Sequence, residues 1–267
     1  MDRPFQIVAA TTVTGSELLA FALIASWALV AAWAAGWFVH RYRSAEDEEG
    51  YEFAELGAAC CPACGHELSL GDAAPIRSLR CTECSRPLPT SWWITHLLTI
   101  AGVVAVAAAW GIGPVLLALL WLPPVLVVAA VVDFRTLLIP KRVAWIGLGV
   151  GIATITVSSL VLGIPSSVLT ALVGAVAYFV VLFVAHVVYP AGMGFGDVRL
   201  APLLGLYLGW IDLALPLTGL LVANLVYLAY AIPARMRFGA DNRFSPFGPG
   251  LALGTMLVVV FHALTLG

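Results

Sequence analysis

The stretch AGMGFGDVRLAPLLG, residues 191–205, carries glycine at three alternate positions, Gly192, Gly194 and Gly196, directly before Asp197. It stands between two apolar segments, where an uninterrupted helix would be the safe choice. Each glycine weakens a helix by about 1 kcal/mol relative to alanine, so three together mark a departure from simple spanning. Backbone that leaves the helix at membrane depth is tolerated only inside protein or along a water-filled cavity. GMGFGD is therefore expected to unwind beside a wet pocket, using glycine's freedom to adopt φ > 0 and its tolerance of close backbone approach, and to aim Asp197 into it.

Composition supplies the membrane. Of 267 residues, 61% are hydrophobic and 10% charged, and the mean hydropathy is +1.00. Apolar runs at Leu18–Val39, Val115–Val132, Val143–Ile164, Val168–Tyr189 and Leu213–Ile232 approach the roughly 20 residues that a bilayer crossing needs. Ile94–Trp110, behind the interfacial pair Trp92 and Trp93, and Leu251–Leu266 add two more. Val198–Ile211 is short and reads as a half-length or tilted span. The first run is too long and too far from the start for a removable signal peptide, and reads as a retained helix. The expected fold is an all-α polytopic membrane protein of about eight transmembrane helices, with one small polar insert between the first two. Its segments are 1–39, 40–91 and 92–267. A net charge of −2 without a basic run leaves no footprint for nucleic acid.

Lysine and arginine set the orientation. Only Arg3 precedes the first span; the rest fall at 41–86, 135–142, Arg199 and 235–243. With eight spans and the N-terminus outside, all four places are cytoplasmic, as the positive-inside rule requires. The short loops near 111–113, 163–167 and 211–212 carry no positive charge.

The insert opens with an acidic run, Glu46 to Glu49 with Glu52 and Glu55, which reads as a solvated linker or as a guide for a basic substrate. Cys61-x2-Cys64 and Cys81-x2-Cys84 follow at zinc-ribbon spacing. A C-x2-C turn presents two thiolates at once, and two such turns satisfy tetrahedral Zn²⁺ with no open position, so the metal is expected to be structural. A cytoplasmic location argues against disulfides. Cys60 and His66 are spare or alternative ligands, with the spectator role favoured.

Ionisable residues in spans are functional candidates. Glu17 and Asp212 fall at wet external ends, and His96, His186 and His262 read as hydrogen-bonded packing residues. Asp133, in VVAAVVDFRTLLIPKRVAW (127–145), and Asp197 instead share the cytoplasmic side under the topology derived from charge alone. Two carboxylates in one desolvated pocket cannot both ionise easily, so the pair would share a proton. One member would take a proton from water while the other polarises a peptide carbonyl, as in an aspartic protease. The competing readings are helix caps, ion pairs with Arg135 and Arg199, or a proton-relay transporter.

These motifs resemble the bacterial type IV prepilin peptidases, membrane aspartic proteases of the GxGD kind. The glycine-rich motif matches Gly192-Met193-Gly194-Phe195-Gly196-Asp197-Val198-Arg199-Leu200. An aspartate followed six residues on by Ile-Pro appears as Asp133 with Ile139-Pro140, and a late PFGP motif as Pro246-Phe247-Gly248-Pro249. The paired C-x2-C insert is also a family feature. The resemblance implies an endopeptidase with Asp133 and Asp197 as its catalytic pair. Gly194, Gly196, Arg199, Phe247, Gly248 and Pro249 would shape the site or contact substrate. The substrates would be prepilin or pseudopilin precursors, whose basic leader is cut at the cytoplasmic face of the inner membrane. Many members also methylate the new N-terminus with S-adenosylmethionine. The family usually carries Gly-Ser-Phe-Leu-Asn at the end of the first span; here it is Gly36-Trp37-Phe38-Val39-His40.

Overall fold

The computed structural model describes residues 15–46, 52–61, 63–69, 80–190, 193–238 and 246–266. In chain order these form α1 (Gly15–Arg41), β1 (Tyr42–Glu46), β2 (Glu52–Leu56), α2 (Thr90–Trp110), α3 (Pro114–Leu119), α4 (Leu122–Thr136), α5 (Lys141–Val161), α6 (Ser166–Val188), α7 (Phe195–Ile211), α8 (Leu215–Phe238) and α9 (Gly248–Leu266). Seven of the described stretches are long and apolar enough to cross a bilayer, with α3 and α4 counted together over Pro114–Thr136.

The expected crossing outside these seven, the sixth in chain order, is α7, and it differs from the rest. At 17 residues and 1.5 Å per residue it reaches about 25 Å, short of the ~30 Å hydrocarbon core. From Asp197 to Ile211 every residue is buried except Arg199 and Pro202, which are half-buried. A helix that is apolar all round belongs in the middle of a bundle, and α7 occupies that place. Its closest neighbour is α6. A Cβ on Gly174 would lie 2.7 Å from the Gly209 Cα, and Gly205 meets Gly174 with equal closeness. Small residues spaced four apart allow this backbone contact, which drives helix association where lipid offers no hydrophobic force. Gly250 and Gly254 bring α9 onto Ala223 of α8 in the same way. The outer faces of α1 and α6 turn Leu18, Val30, Val176 and Val187 outward, as lipid-facing helices should.

The span expected at Val115–Val132 is present as α3 and α4 together. Pro123 and Pro124 lack N–H groups, so the helical hydrogen bonds lapse at Leu120 and Trp121 while both residues keep right-handed φ and ψ. The carbonyls this leaves exposed find side-chain donors: Trp27 Nε1–H donates to Leu120 O at 3.0 Å and the Tyr207 hydroxyl to Ala118 O at 3.2 Å.

Part of the segment expected as an acidic linker forms a hairpin. β1 and β2 pair antiparallel, with Tyr42 opposite Leu56 and Glu46 opposite Glu52; residues 47–51, with Asp47, Glu48 and Glu49, lie outside those described. Beyond the hairpin, Cys61, Leu68, Cys81 and Leu88 pack with Trp92 of α2, flanked by Trp33 and Trp37 of α1. The insert thus stands on a tryptophan platform at the ends of the first two spans.

Candidate active site and metal centre

Asp133 lies in the last turn of α4 and is only 5% exposed; Asp197 lies in the first turn of α7 and is 6% exposed. What joins these ends is the α4–α5 connection. Ile139 packs so closely on the start of α7 that a Cβ at Gly196 would fall 3.0 Å from the Ile139 Cβ and 3.2 Å from its backbone nitrogen. The two carboxylates lie within electrostatic reach of each other. A third helix end completes the site: the Gly248 N–H, at the start of α9, donates to Asp133 Oδ2 at 2.9 Å. A Cβ on Gly248 would stand 2.7 Å from that same oxygen. Asp197 Oδ1 is buried without a hydrogen-bond partner, the sort of acceptor that a native site keeps for something it binds.

Of the two freedoms expected of these glycines, the described ones use close approach and not left-handed φ. Asp197 stands inside a helical turn and not on unwound chain: Gly194 caps α7 in an extended conformation, φ −66° and ψ 142°. Among the described residues the left-handed glycines are Gly65, Gly111 and Gly163. The need at Gly196 is room for Ile139, which is close approach alone. Gly192 lies outside the described residues.

The arginines turn elsewhere. Arg135 donates to Val39 O at 2.9 Å, tying α4 to the end of α1, and Arg199 lies over the Phe195 ring at 4.7 Å. Phe247 meets the Tyr227 ring edge-on at 5.1 Å, and Pro249 follows Gly248 in the first turn of α9. Two residues that sequence reasoning left aside join the surroundings. His186, expected as a packing residue, donates Nδ1–H to Met193 O at 2.8 Å and so anchors the approach to α7. Tyr230 of α8 hydrogen-bonds the Pro246 carbonyl. A tyrosine hydroxyl in a span needs a partner, and that was the signal available for it.

The four cysteines converge as their spacing predicts. Their Sγ atoms all lie within 4.8 Å of one another, with Cys61–Cys84 and Cys64–Cys81 at 3.7 Å. A tetrahedral ion with bonds of about 2.3 Å to sulfur sets its ligands about 3.8 Å apart, so the tetrad fits a thiolate-bound metal. The two knuckles share one backbone plan: Gly65 N–H bonds Cys61 O at 2.8 Å, and Ser85 N–H bonds Cys81 O at 2.9 Å. The Ala63 amide brings the Cys61 thiol down to about 7 and the Cys84 amide lowers Cys81, while Cys64, against the lowering His66 amide, is pushed up to about 12 by burial and the neighbouring thiols. Cys60 points away, its Sγ 3.8 Å from Ala58 O.

Comparison with known proteins gives the same direction. Residues 120–232, which include both aspartates, match the type IV leader peptidase family. The chain is 31% identical to a prepilin leader peptidase/N-methyltransferase of Aeromonas hydrophila over 76% of its own length and 71% of that protein's. It is 28% identical to the Pseudomonas putida protein of the same name, covering 77% and 73%, and 27% identical to that of Bacillus subtilis, covering 75% and 80%. No solved structure matches. With its family match spanning the helices that carry the aspartates, and its relatives matched over most of both chains, this multi-pass membrane protein belongs to the type IV leader peptidase family and is a peptidase.

Proposed function

We propose that Asp133 and Asp197 are the catalytic pair of an aspartic endopeptidase that removes the leader of prepilin-like precursors at the cytoplasmic face of the membrane. The observation that carries this reading is the meeting of three helix ends. Two buried carboxylates from separate helices lie within electrostatic reach of each other, one held by the Gly248 N–H and the other keeping Oδ1 free. Helix capping does not account for this arrangement, since Asp133 closes a helix end and its partner is the amide of another helix. Ion pairing does not either, because Arg135 and Arg199 are directed to Val39 O and the Phe195 ring.

Sharing one proton, the pair serves both halves of a hydrolysis. The ionised carboxylate takes a proton from water while the water oxygen bonds to the scissile carbonyl carbon. The neutral carboxyl gives its proton to the carbonyl oxygen. In the collapse the C–N bond breaks, the carbonyl reforms as its O–H proton returns to the carboxylate that gave it, and the leaving amine takes up the proton that came from water. Asp197 Oδ1 is the open acceptor at which water or substrate completes the site. The Gly248 N–H holds Asp133 in place through both steps.

The cytoplasmic assignment rests on charge. Arg135, Lys141, Arg142, Arg199, Arg235 and Arg237 all lie at helix ends on the side of the aspartates, as does the cysteine insert between α1 and α2. The insert's four thiolates are suited to Zn²⁺, and a closed thiolate set makes the ion a structural one. The relatives' names also carry N-methyltransferase; that activity would draw its methyl group from S-adenosylmethionine and act on the amine that cleavage releases. The proton-relay transporter finds no support in the comparisons. The test is cleavage of a model prepilin in membranes by wild type, Asp133→Asn and Asp197→Asn at matched expression. A shortened product with wild type only sustains the pair, and substantial cleavage by either variant removes it. Labelled S-adenosylmethionine in the wild-type reaction reads methyl transfer on the product by mass.

A further inference from the structure

Gly248 can serve Asp133 only if the chain entering α9 is held still, and the structure supplies a holder. Pro246 and Phe247 lead directly into the Gly248 N–H. From the opposite side, α8 presents Tyr230, half-buried, whose hydroxyl donates to the Pro246 carbonyl. The Tyr227 ring stands between them, edge-on to Tyr230 at 5.6 Å and to Phe247 at 5.1 Å. The turn is therefore gripped at two points two residues apart: its Pro246 C=O by α8 and its Gly248 N–H by α4. Tyr230 also lies within electrostatic reach of Asp133 and Asp197. Rings alone would fix the turn loosely, because an edge contact leaves rotation and sliding open. A hydrogen bond to the carbonyl sets the orientation of the peptide chain that ends in Gly248.

We propose that Tyr230 is a positioning residue of the aspartyl pair, its hydroxyl orienting the Pro246–Gly248 turn so that the Gly248 amide stays on Asp133. This rests on the assignment of Asp133 and Asp197 as the catalytic pair. It makes a claim about chemistry and not only packing, because the feature required is a hydrogen-bond donor at the para position of the ring.

The experiment compares wild type, Tyr230→Phe and Tyr230→4-aminophenylalanine, with Asp133→Asn as reference, on one model prepilin in membranes. Tyr230→Phe keeps the ring and removes the donor. It is expected to lower kcat by about tenfold or more, as small misplacements of reacting groups do, with KM and the melting midpoint unchanged. Amide exchange in the peptide covering 246–251 should quicken. The 4-amino ring restores a donor, and kcat should recover with it. Wild-type kcat in Tyr230→Phe overturns the proposal, as does a rise in KM alone, which would make Tyr230 a substrate contact. Loss of kcat that the 4-amino ring does not restore reduces Tyr230 to packing. If Asp133→Asn itself cleaves normally, the catalytic pair fails and this inference with it. An inactive Asp133→Asn beside an unaffected Tyr230→Phe sinks the positioning role alone.

Discussion

The cysteine insert and the aspartyl pocket lie at the same end of the bundle and are built on opposite principles. The four thiols come from two short turns, and each turn closes with its own backbone hydrogen bond, Gly65 to Cys61 and Ser85 to Cys81. The pocket draws Asp133, Asp197 and the Gly248 amide from α4, α7 and α9. No local turn brings these together. They meet because glycines let helix ends approach within van der Waals limits. A site of the first kind should tolerate changes elsewhere and depend on its metal; a site of the second kind should be destroyed by a single methyl group.

The sharpest break is at the carboxylates. Asp133→Asn or Asp197→Asn should lower cleavage by about 10³-fold or more, since loss of general acid–base catalysis costs up to about 10⁴. Membrane insertion and metal content should stay at the wild-type level, because an amide has nearly the shape of a carboxyl. Next comes Gly248→Ala. Its Cβ would sit 2.7 Å from Asp133 Oδ2 and 3.0 Å from Cγ, so either the carboxyl swings away or α9 retreats. A displacement of this size is expected to cost about a hundredfold in kcat. Cleavage at the wild-type rate would show that the pocket tolerates what the geometry forbids.

Metal removal should have the reverse profile. Cys61→Ser or Cys81→Ser leaves three thiolates, and the ion should be absent by elemental analysis of the purified protein. Proteases should then cut within 57–89, while the core of α4 to α9 keeps its melting midpoint, since the cysteine knuckles pack on Trp92 and Trp37, and it is the hairpin, through Tyr42 and Leu56, that reaches Val128 and Val131 of α4. The loss of cleavage should be smaller than in either aspartate variant. If melting of the membrane core fell together with the insert, the two regions would be one cooperative unit and the contrast between them would disappear.

The same contrast explains what could be read in the sequence. Span positions are a one-dimensional signal, apolar length, and α1, α5, α6 and α8 lie where it put them. The metal site is nearly one-dimensional too, because C-x2-C fixes its own turn. The aspartates could be placed on one side from charge alone. Their environment could not, because it depends on partners far away in the chain: Ile139 against Gly196, Gly248 against Asp133, His186 on Met193, Tyr230 on Pro246. Hence, of the two freedoms expected of the motif glycines, close approach is used at Gly196 against Ile139, while left-handed φ is used at neither Gly194 nor Gly196. Pro123-Pro124 did carry a local signal for the lapse in hydrogen bonding between α3 and α4, but the apolar run through it concealed that lapse. The β1–β2 hairpin was missed for another reason. Its charged residues suggested solvation, and antiparallel pairing of two such strands is a solvated structure as well.

Within the insert the two knuckles offer a finer comparison, because they differ at one equivalent position. Gly65 has φ 73° and Ser85 has φ 55°, both in the left-handed region. A residue with a Cβ is disfavoured there by about 1–2 kcal/mol relative to the right-handed form, a cost that glycine lacks. Glycine loses more backbone freedom on folding, which returns roughly 0.5–1 kcal/mol. The two terms nearly cancel, so Ser85→Gly should strengthen metal retention against a competing chelator only slightly, by about a few-fold at most. Gly65→Ser reverses the steric term and should weaken retention by a similar factor. No Cβ clash opposes it, since the space beside Gly65 is open. A large loss in Gly65→Ser beside a neutral Ser85→Gly would mean that the first knuckle carries a constraint beyond φ, and that the two halves of the site are not equivalent.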